Sequence, residues 1–411
     1  MKILHTADWH LGKKLEHFSR FEEQKAVLQE IVGIVEQEAV DVVIIAGDIF
    51  DSFNPPIEAT ELLYSTLKKI SNNGKRLIVA IAGNHDSPDR IDAPDSLAQE
   101  LGIFFIGYPN AILSNRSFDS GIAIINSAPG FVEFQLPQYN YPLRCLFTPY
   151  ANEQRLGIFL GDEDKDKNMN QLLQQHWQNV ASTYCDTQGV NILVSHLFML
   201  PKSGAIQEES EGERSIRVGN ATNINLQSIP RQIQYTALGH LHNFQNINTE
   251  AHPVVYSSSP LCYSFAETGQ TKKVVIITLE PNETAIFKTI DLIAGRKLHR
   301  KQFEHIDEAI TWLEQNKDVL VELTIVSDTF IKNSDMKALY SANDGIIHII
   351  PNLKNDILNS NKATHNIQMS LPIQDLFKQY FLSEKKQLPN EEMIALFNEI
   401  INVHPENEDK S

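Results

Sequence analysis

A chain of 411 residues, 42% hydrophobic and 21% charged, holds enough apolar material for one large core with smaller units beside it. No apolar run approaches the roughly 18–20 residues of a membrane span, and Cys145, Cys185 and Cys262, far apart and odd in number, exclude a thiolate zinc site and point to a reducing compartment. The net charge of −17 speaks against a surface that grips nucleic acid all round, so any such contact must sit in local patches or come from a partner.

The chain opens on "ILHTADWHLG" (3–12), where Ile3, Leu4 and Ala7 read as a short buried strand that ends as Asp8 and His10 arrive. Charge cuts off the apolar stretch of "MKILHTAD", which argues against a secretory signal and for the cytoplasm. "SRFEEQKAVLQEIVGIVEQ" (19–37) predicts an amphipathic helix: Ser19 and Glu22 form a capping-box start, and Leu28, Ile31, Val32 and Val35 recur at helical spacing. "DVVIIAGDIFDS" (41–52) is a continuous apolar run of the kind found in strands covered on both faces. A second amphipathic helix, "EATELLYSTLKKIS" (58–71), and a third buried strand, "RLIVAIAGNHDS" (76–87), follow. This β-α-β-α-β order predicts an α/β domain with parallel strands and right-handed crossovers. Each strand carries polar residues at its C-terminal end, the edge where sites of open α/β sheets gather.

The chain then turns β-rich, through "GIAIINSA", "RCLFTPY", "NILVSHL", "QYTALGHLHN", "PVVYSSS" and "KKVVIITLE", with a polar helix over 168–183. Two sheets packed face to face with helices outside would accommodate this order. "GDEDKDKN" (161–168) and "PKSGAIQEESEGERS" (201–215) read as surface loops. The organisation changes near residue 283, where a large domain over 1–282 gives way to a small α+β unit over 283–352: "AIFKTIDL", the helix "IDEAITWLEQNK", the strand "VLVELTIV", the helix "SDMKALYSAN" and the strand "IIHIIPNL". An Asn-rich linker (353–369) leads to two short helices within 370–403, before a disordered tail (404–411). One helix gathers Ile373, Leu376, Phe377, Tyr380 and Phe381 on a single face, the other Met393, Leu396, Phe397, Ile400 and Ile401. Asn390 is the expected cap of the second, with Glu391 and Glu392 in its first turn. Helices this short are unstable alone in water, so those faces must bury against this chain or a partner.

Taken together, the strand ends form a constellation: D-x-H at 8–10, "GDIFD" at 47–51, "GNHD" at 83–86, "SH" at 195–196 and "GHLH" at 239–242. Any one of them alone is an ordinary turn. Five apolar strands that each end in Asp, Asn or His point to a metal site, with donors suited to Mn²⁺, Fe or Zn²⁺. Two metals need a shared ligand, and Asp48, on a central strand behind Gly47, is best placed to bridge. Gly47, Gly83 and Gly239 directly precede Asp48, Asn84 and His240, where they allow a tight turn or close approach.

These five blocks resemble the calcineurin-like metallophosphoesterases. "ILHTADWHLG", "AGDIFDSFNPP" and "AGNHDSPDR" resemble one branch of them, the SbcD nucleases that act with the ATPase SbcC. The resemblance implies a four-layer α/β/β/α sandwich with a small α+β capping domain and C-terminal helices. It implies two divalent ions, Mn²⁺ first among candidates: one held by Asp8, His10, Asp48 and His242, the other by Asp48, Asn84, His196 and His240. His85 matches a family histidine that is not a ligand but positions the phosphate or protonates the leaving oxygen; without the family it reads as a loop histidine bonded to Asp86. Asp51 stands where other relatives carry a second functional histidine, so that role does not transfer, and Ser258 in "SSSPLCYSF" replaces an expected glycine.

The implied activities are 3'–5' double-strand exonuclease and single-strand or hairpin endonuclease, in DNA repair and recombination. A phosphatase or cyclic-nucleotide phosphodiesterase shares the metal motifs but needs neither a capping unit nor terminal helices. Candidate DNA contacts are Lys13 and Lys14 beside the metal edge and Arg296, Lys297, Arg300 and Lys301 in the small unit. The family further implies that Ile373, Leu376, Phe377, Phe381, Leu396 and Phe397 dock on the coiled-coil base of SbcC, and that a homodimer completes a heterotetramer.

Overall fold

The computed structural model describes residues 1–161, 164–200, 224–248, 252–327 and 331–353, and, further on, 376–378, 380, 381, 389, 393, 394 and 397. The polar segment 201–215 and the Asn-rich linker, apart from its first residue, Leu353, therefore lie outside the described residues. The chain divides into one unit of Met1–Ile325 with Lys332–Ile350 and another of Val326–Ile331 with the residues from Pro351 onward.

The first unit is built on two large sheets. The N-terminal third alternates strands and helices: β1 (Lys2–Thr6), α1 (Phe21–Gln37), β2 (Val42–Ala46), α2 (Ile57–Ile70), β3 (Leu77–Ile81) and β4 (Ile103–Ile106). β1 to β4 run parallel, as the β-α-β order predicts. Next come β5 (Arg116–Ser117), β6 (Ala123–Ala128), β7 (Phe131–Gln135), β8 (Leu143–Thr148), α3 (Lys165–Tyr184) and β9 (Val190–Ser195). β10 (Tyr235–Leu238), β11 (Gln245–Asn248), β12 (Val254–Tyr256), β13 (Lys273–Thr278) and β14 (Ile286–Asp291) complete the two sheets. A six-stranded sheet has the order β14-β13-β1-β2-β3-β4, and an eight-stranded one the order β11-β12-β10-β9-β8-β7-β6-β5.

Side chains alternate along each strand, so each sheet has two faces to cover. Ile3, Val42, Ile44, Val79 and Ile81 meet Val132, Phe134, Phe147, Ile192, Val194 and Ala237 between the sheets. The opposite face of the first sheet, Leu4, Val43, Ile45, Ile78 and Ala80, packs on Val27, Leu28, Ile31 and Val35 of α1 and Leu63 and Leu67 of α2. The outer face of the second, Leu146, Leu193, Leu238 and Tyr256, packs on Met169, Leu173, Trp177 and Val180 of α3. The architecture is the expected α/β/β/α sandwich.

Three local readings need correction. α1 begins at Phe21 with Arg20 as its cap residue, so Ser19 and Glu22 form no capping box; Ser19 Oγ instead accepts weakly from the Phe21 amide at 3.4 Å. α3 starts at Lys165, so half of "GDEDKDKN" is helix rather than loop. "AIFKTIDL" does not open the small unit: Lys273 pairs opposite Asp291 and Thr278 opposite Ile286, which makes β14 the edge strand of the six-stranded sheet. Its alternating, half-exposed pattern suits either placement, and only the pairing decides.

Beyond β14, β15 (Lys297–Phe303), α4 (Ile306–Gln315), β16 (Val319–Ser327), α5 (Asn333–Ala342) and β17 (Ile346–Leu353) form a three-stranded sheet with two helices. Leu298, Leu320 and Ile347 of that sheet pack with Leu15 and Phe265 of the sandwich. In the second unit, the Phe377 ring stacks on Phe397 with centroids 3.9 Å apart, and Leu376, Phe377 and Phe381 are helical and half-buried. Ile373, Leu396, Asn390, Glu391, Glu392, Ile400 and Ile401 lie outside the described residues.

Candidate metal centre

Every predicted ligand follows a strand of the sandwich. Asp8 and His10 follow β1, Asp48 follows β2, Asn84 follows β3, His196 follows β9, and His240 and His242 follow β10. The β1–β2 pairing continues beyond the strands, through Asp8 N to Gly47 O at 3.0 Å and His10 N to Asp48 O at 2.9 Å. These loops are strained. Asp8, His10, Asp48 and His240 take φ of +54°, +45°, +47° and +97°, a region non-glycine residues rarely occupy. Such geometry persists where the surroundings over-determine it, as at functional sites. Two glycines serve close approach: a Cβ on Gly83 would stand 2.1 Å from Asp48 Oδ1, and one on Gly239 1.9 Å from the Ala46 carbonyl.

The loops bring the donors together. Asp8, His10 and His242 offer atoms all within 4.8 Å of one another, and Asp48, His196 and His240 form a second such group. His10 Nε2 lies 3.0 Å from His242 Nε2 and 3.6 Å from Asp48 Oδ2. His196 Nε2 lies 3.4 Å from the same Asp48 Oδ2 and 3.0 Å from Asn84 Oδ1. One Asp48 oxygen thus faces both groups, the position a bridging ligand needs. The set fits two divalent cations. Two imidazole nitrogens at 3.0 Å match the edge of a coordination sphere, and the Asp8 Oδ2 atom is buried with no hydrogen-bond partner among the described residues. The other nitrogen of two of these rings is already engaged. His196 Nδ1 donates to Ala46 O at 2.8 Å and His242 Nδ1 to Glu267 Oε1 at 3.2 Å, which turns Nε2 of each toward the donors.

The electrostatics agree with ligand roles. Burial pushes the His10 imidazolium down to about 3, so the ring is neutral and a lone pair is at hand. Burial would raise Asp48, but His196 and its neighbours outweigh that and hold the carboxyl well below the usual range. Burial lifts Asp8 to about 6. His196 loses to burial but gains more from Asp48 and Asp8 and rises to about 9, so an entering cation must displace its proton.

His85 belongs to a third such group, with His10 and Asp51. Its backbone N–H donates to Asp48 Oδ1 at 2.8 Å, and its ring Nδ1 donates to the Asp51 carbonyl at 2.8 Å. Asp86, the partner a plain loop histidine would use, accepts instead from the amides of Gly83, Ile49 and Phe50 at 2.8–3.0 Å. The Asp51 carboxylate stands 3.5 Å from His10 Nδ1 and accepts from Lys13 Nζ at 2.9 Å. Ser258 takes φ of +82°, so the loop keeps the geometry expected of a glycine, with Oγ accepting from Lys273 N at 2.9 Å.

Several supporting residues escaped the sequence reading. Gln24 of α1, buried, donates to His10 O at 2.8 Å and accepts from Gly12 N at 3.1 Å. The Tyr263 hydroxyl donates to Trp9 O. Arg155 donates to Gly83 O at 2.8 Å and Asp86 O at 2.7 Å, clamping the Asn84–His85 loop. His5 ties the sheets together, Nε2 donating to Leu238 O at 3.1 Å and Nδ1 accepting from the Tyr235 hydroxyl at 3.0 Å. The first and last of these left a trace in the sequence: Gln24 sits on the apolar stripe of α1, and His5 on the buried face of β1.

The basic residues divide. Lys13, Lys14, Arg300 and His348 line one cleft of about 610 Å³ beside Asp51 and Tyr263, so residues from both ends of the first unit share a groove. Arg300 is ion-paired with Glu322 at 2.7 Å. Arg296 is held by Glu23 at 3.3 Å and Asp344 at 3.4 Å, and Lys301 lies over the Trp312 ring. Lys14 and Lys297 are exposed.

Residues 1–244 match the calcineurin-like phosphoesterase family. The chain is 36% identical to the SbcD component of the nuclease SbcCD of Bacillus subtilis (strain 168), over 97% of each chain. It is 29% identical to the same component from Staphylococcus epidermidis over 83% of each, and 30% identical to that of Rhodobacter capsulatus over 68% of this chain and 66% of the other. Among the described residues no helix is long and apolar enough to cross a membrane.

Proposed function

From the premise that this chain belongs to the calcineurin-like phosphoesterases and, within them, to the SbcD nucleases, we propose that its metal rim cuts DNA phosphodiester bonds in concert with an SbcC-type ATPase. It is a metal-dependent phosphodiesterase of nuclease type. The observation that supports the chemistry best is the convergence on Asp48 Oδ2 of donors from both sheets, with His85 held beside them by its bond to the Asp51 carbonyl. Asp8, His10, Asp48, Asn84, His196, His240 and His242 would hold two divalent ions, Mn²⁺ by preference, which would lower the pKa of water and neutralise the phosphodiester's charge.

The protein's own groups do the rest. Asp48 commits Oδ1 to the His85 amide, which keeps Oδ2 turned to the donors and ties the His85 loop to the same carboxylate. With Nδ1–H engaged by the Asp51 carbonyl, the His85 ring in its doubly protonated form would pass its Nε2 proton to the departing sugar oxygen and be left neutral. Lys13, Lys14 and Arg300 would meet a phosphate backbone in a cleft that also holds Glu16, Asp51 and Glu322, so the phosphates would compete with Asp51 for Lys13 and with Glu322 for Arg300. Arg296 is likewise engaged, by Glu23 and Asp344. The apolar faces around Leu376, Phe377, Phe381 and Phe397 are the docking surface for SbcC, and a homodimer would complete a heterotetramer in the cytoplasm.

The test is cleavage by the Mn²⁺-loaded protein of linear duplex and hairpin DNA, beside a chromogenic diester. Cut DNA, with 3'–5' loss from duplex ends, is the expected result. Turnover of the diester with DNA left intact would instead favour a small-substrate phosphoesterase. The His85→Ala variant should keep both ions and lose roughly 10²–10⁴-fold in turnover. Loss of an ion would make His85 a ligand.

A further inference from the structure

We propose that Glu267, anchored by Lys272, is a positioning residue that aims His242 Nε2 into the metal centre and makes the two metal sites unequal. Glu267 lies in a 3-10 turn, Phe265–Glu267, that follows "SSSPLCYS", far in sequence from any predicted ligand. Its side chain is fully buried. Oε1 accepts from His242 Nδ1 at 3.2 Å and from the Tyr263 amide at 3.2 Å, while Oε2 accepts from Lys272 Nζ. Lys272, 5% exposed, also donates to the His242 carbonyl at 2.7 Å and to Gln270 Oε1 at 3.1 Å. One buried ion pair therefore grips His242 at both its ring and its backbone.

Stability alone is a poor reason for that pair. Removing two charges from water is costly, and an apolar pair of similar volume often serves a core as well or better. A carboxylate on Nδ1–H does what an apolar group cannot: it selects the tautomer, fixes the ring rotation and makes Nε2 a stronger donor. The other group of ligands is supported differently. His196 Nδ1 gives its proton to a neutral acceptor, the Ala46 carbonyl, at 2.8 Å. A charged acceptor behind His242 and an uncharged one behind His196 give the two sites different affinity.

This inference rests on His242 being a ligand, so its test carries that as a control. Mn²⁺ is titrated into the full chain and free ion is read by electron paramagnetic resonance, with circular dichroism as the check on folding. The proteins compared are wild type, H242A, E267Q, K272M and the double variant E267Q/K272M. Wild type should bind two ions and H242A should lose one. E267Q should bind that same ion about 10- to 100-fold more weakly and keep the other. K272M, which leaves Glu267 on His242, should retain both. Should K272M fail to fold with its carboxylate uncompensated, the double variant, which buries neither charge, decides alone: weak binding of one ion supports the positioning role. Wild-type affinity in the double variant, or K272M as weak as E267Q, would reduce the pair to a structural staple and overturn the proposal. Two tightly held ions in H242A would overturn the reading of His242 as a ligand, and this inference with it.

Discussion

Ile3 and His5 share the face of β1 that meets the second sheet, Ala7 continues it just past the strand, and the histidine is wholly buried. Burial outweighs its bond to the Leu238 carbonyl and pushes His5 down to about 3, against 6.5 in the unfolded chain. Between those values the unfolded state holds a proton that the folded state lacks. Stability is therefore full above pH 6.5 and falls as the pH drops toward 3, by up to about 1.4 kcal/mol per pH unit. Urea unfolding at pH 7.5 and 5.5 should show wild type losing about 1 kcal/mol more than a H5Q variant, which keeps polar reach but cannot titrate; equal losses would mean that His5 does not govern this range. The proposed ligands stood out because each follows an apolar strand in the sequence. Their supporters were not: Glu267 and Arg155 meet His242 and the His85 loop only across the folded molecule, and nothing local marks them.

At the scale of elements, α1 does more than cover a sheet. Gln24 stands three and four residues before Val27 and Leu28 on its buried stripe, and its amide bonds both sides of the Asp8–Gly12 loop. The Q24A variant leaves the His10 carbonyl and Gly12 N–H buried without that partner. It should lose about 1–3 kcal/mol in thermal or chemical unfolding and bind Mn²⁺ more weakly by calorimetry. A loss of stability with unchanged metal affinity would limit Gln24 to packing. Helical and β periodicity placed the strands and helices of the sandwich in order, because both faces of each sheet demand covering. The periodicity failed where no burial constrains it. Ser19 and Glu22 satisfy a capping-box pattern just ahead of the true start, and the half-exposed Ile286–Asp291 matches an edge strand of either sheet.

At the scale of the molecule, the first unit carries every proposed ligand, His85 and the cleft of Lys13 and Arg300, while the proposed docking helices belong to the second. A chain ending after Asn352 should therefore retain Mn²⁺-dependent cleavage and fail to co-purify with SbcC; a truncated chain that still associates would move the docking surface onto the sandwich. The same division of labour runs through the metal rim. Asp8, His10, Asp48 and Asn84 extend from the six-stranded sheet, and His196, His240 and His242 from the eight-stranded one. Cations seated there fasten one leaf of the protein to the other like a clasp on a book. At a hundred times its dissociation constant, a folded-state ligand adds about 2.7 kcal/mol to the native state. A cell starved of the cation would thus lose some of the polypeptide itself to unfolding and proteolysis, and abundance would track metal supply along with catalysis.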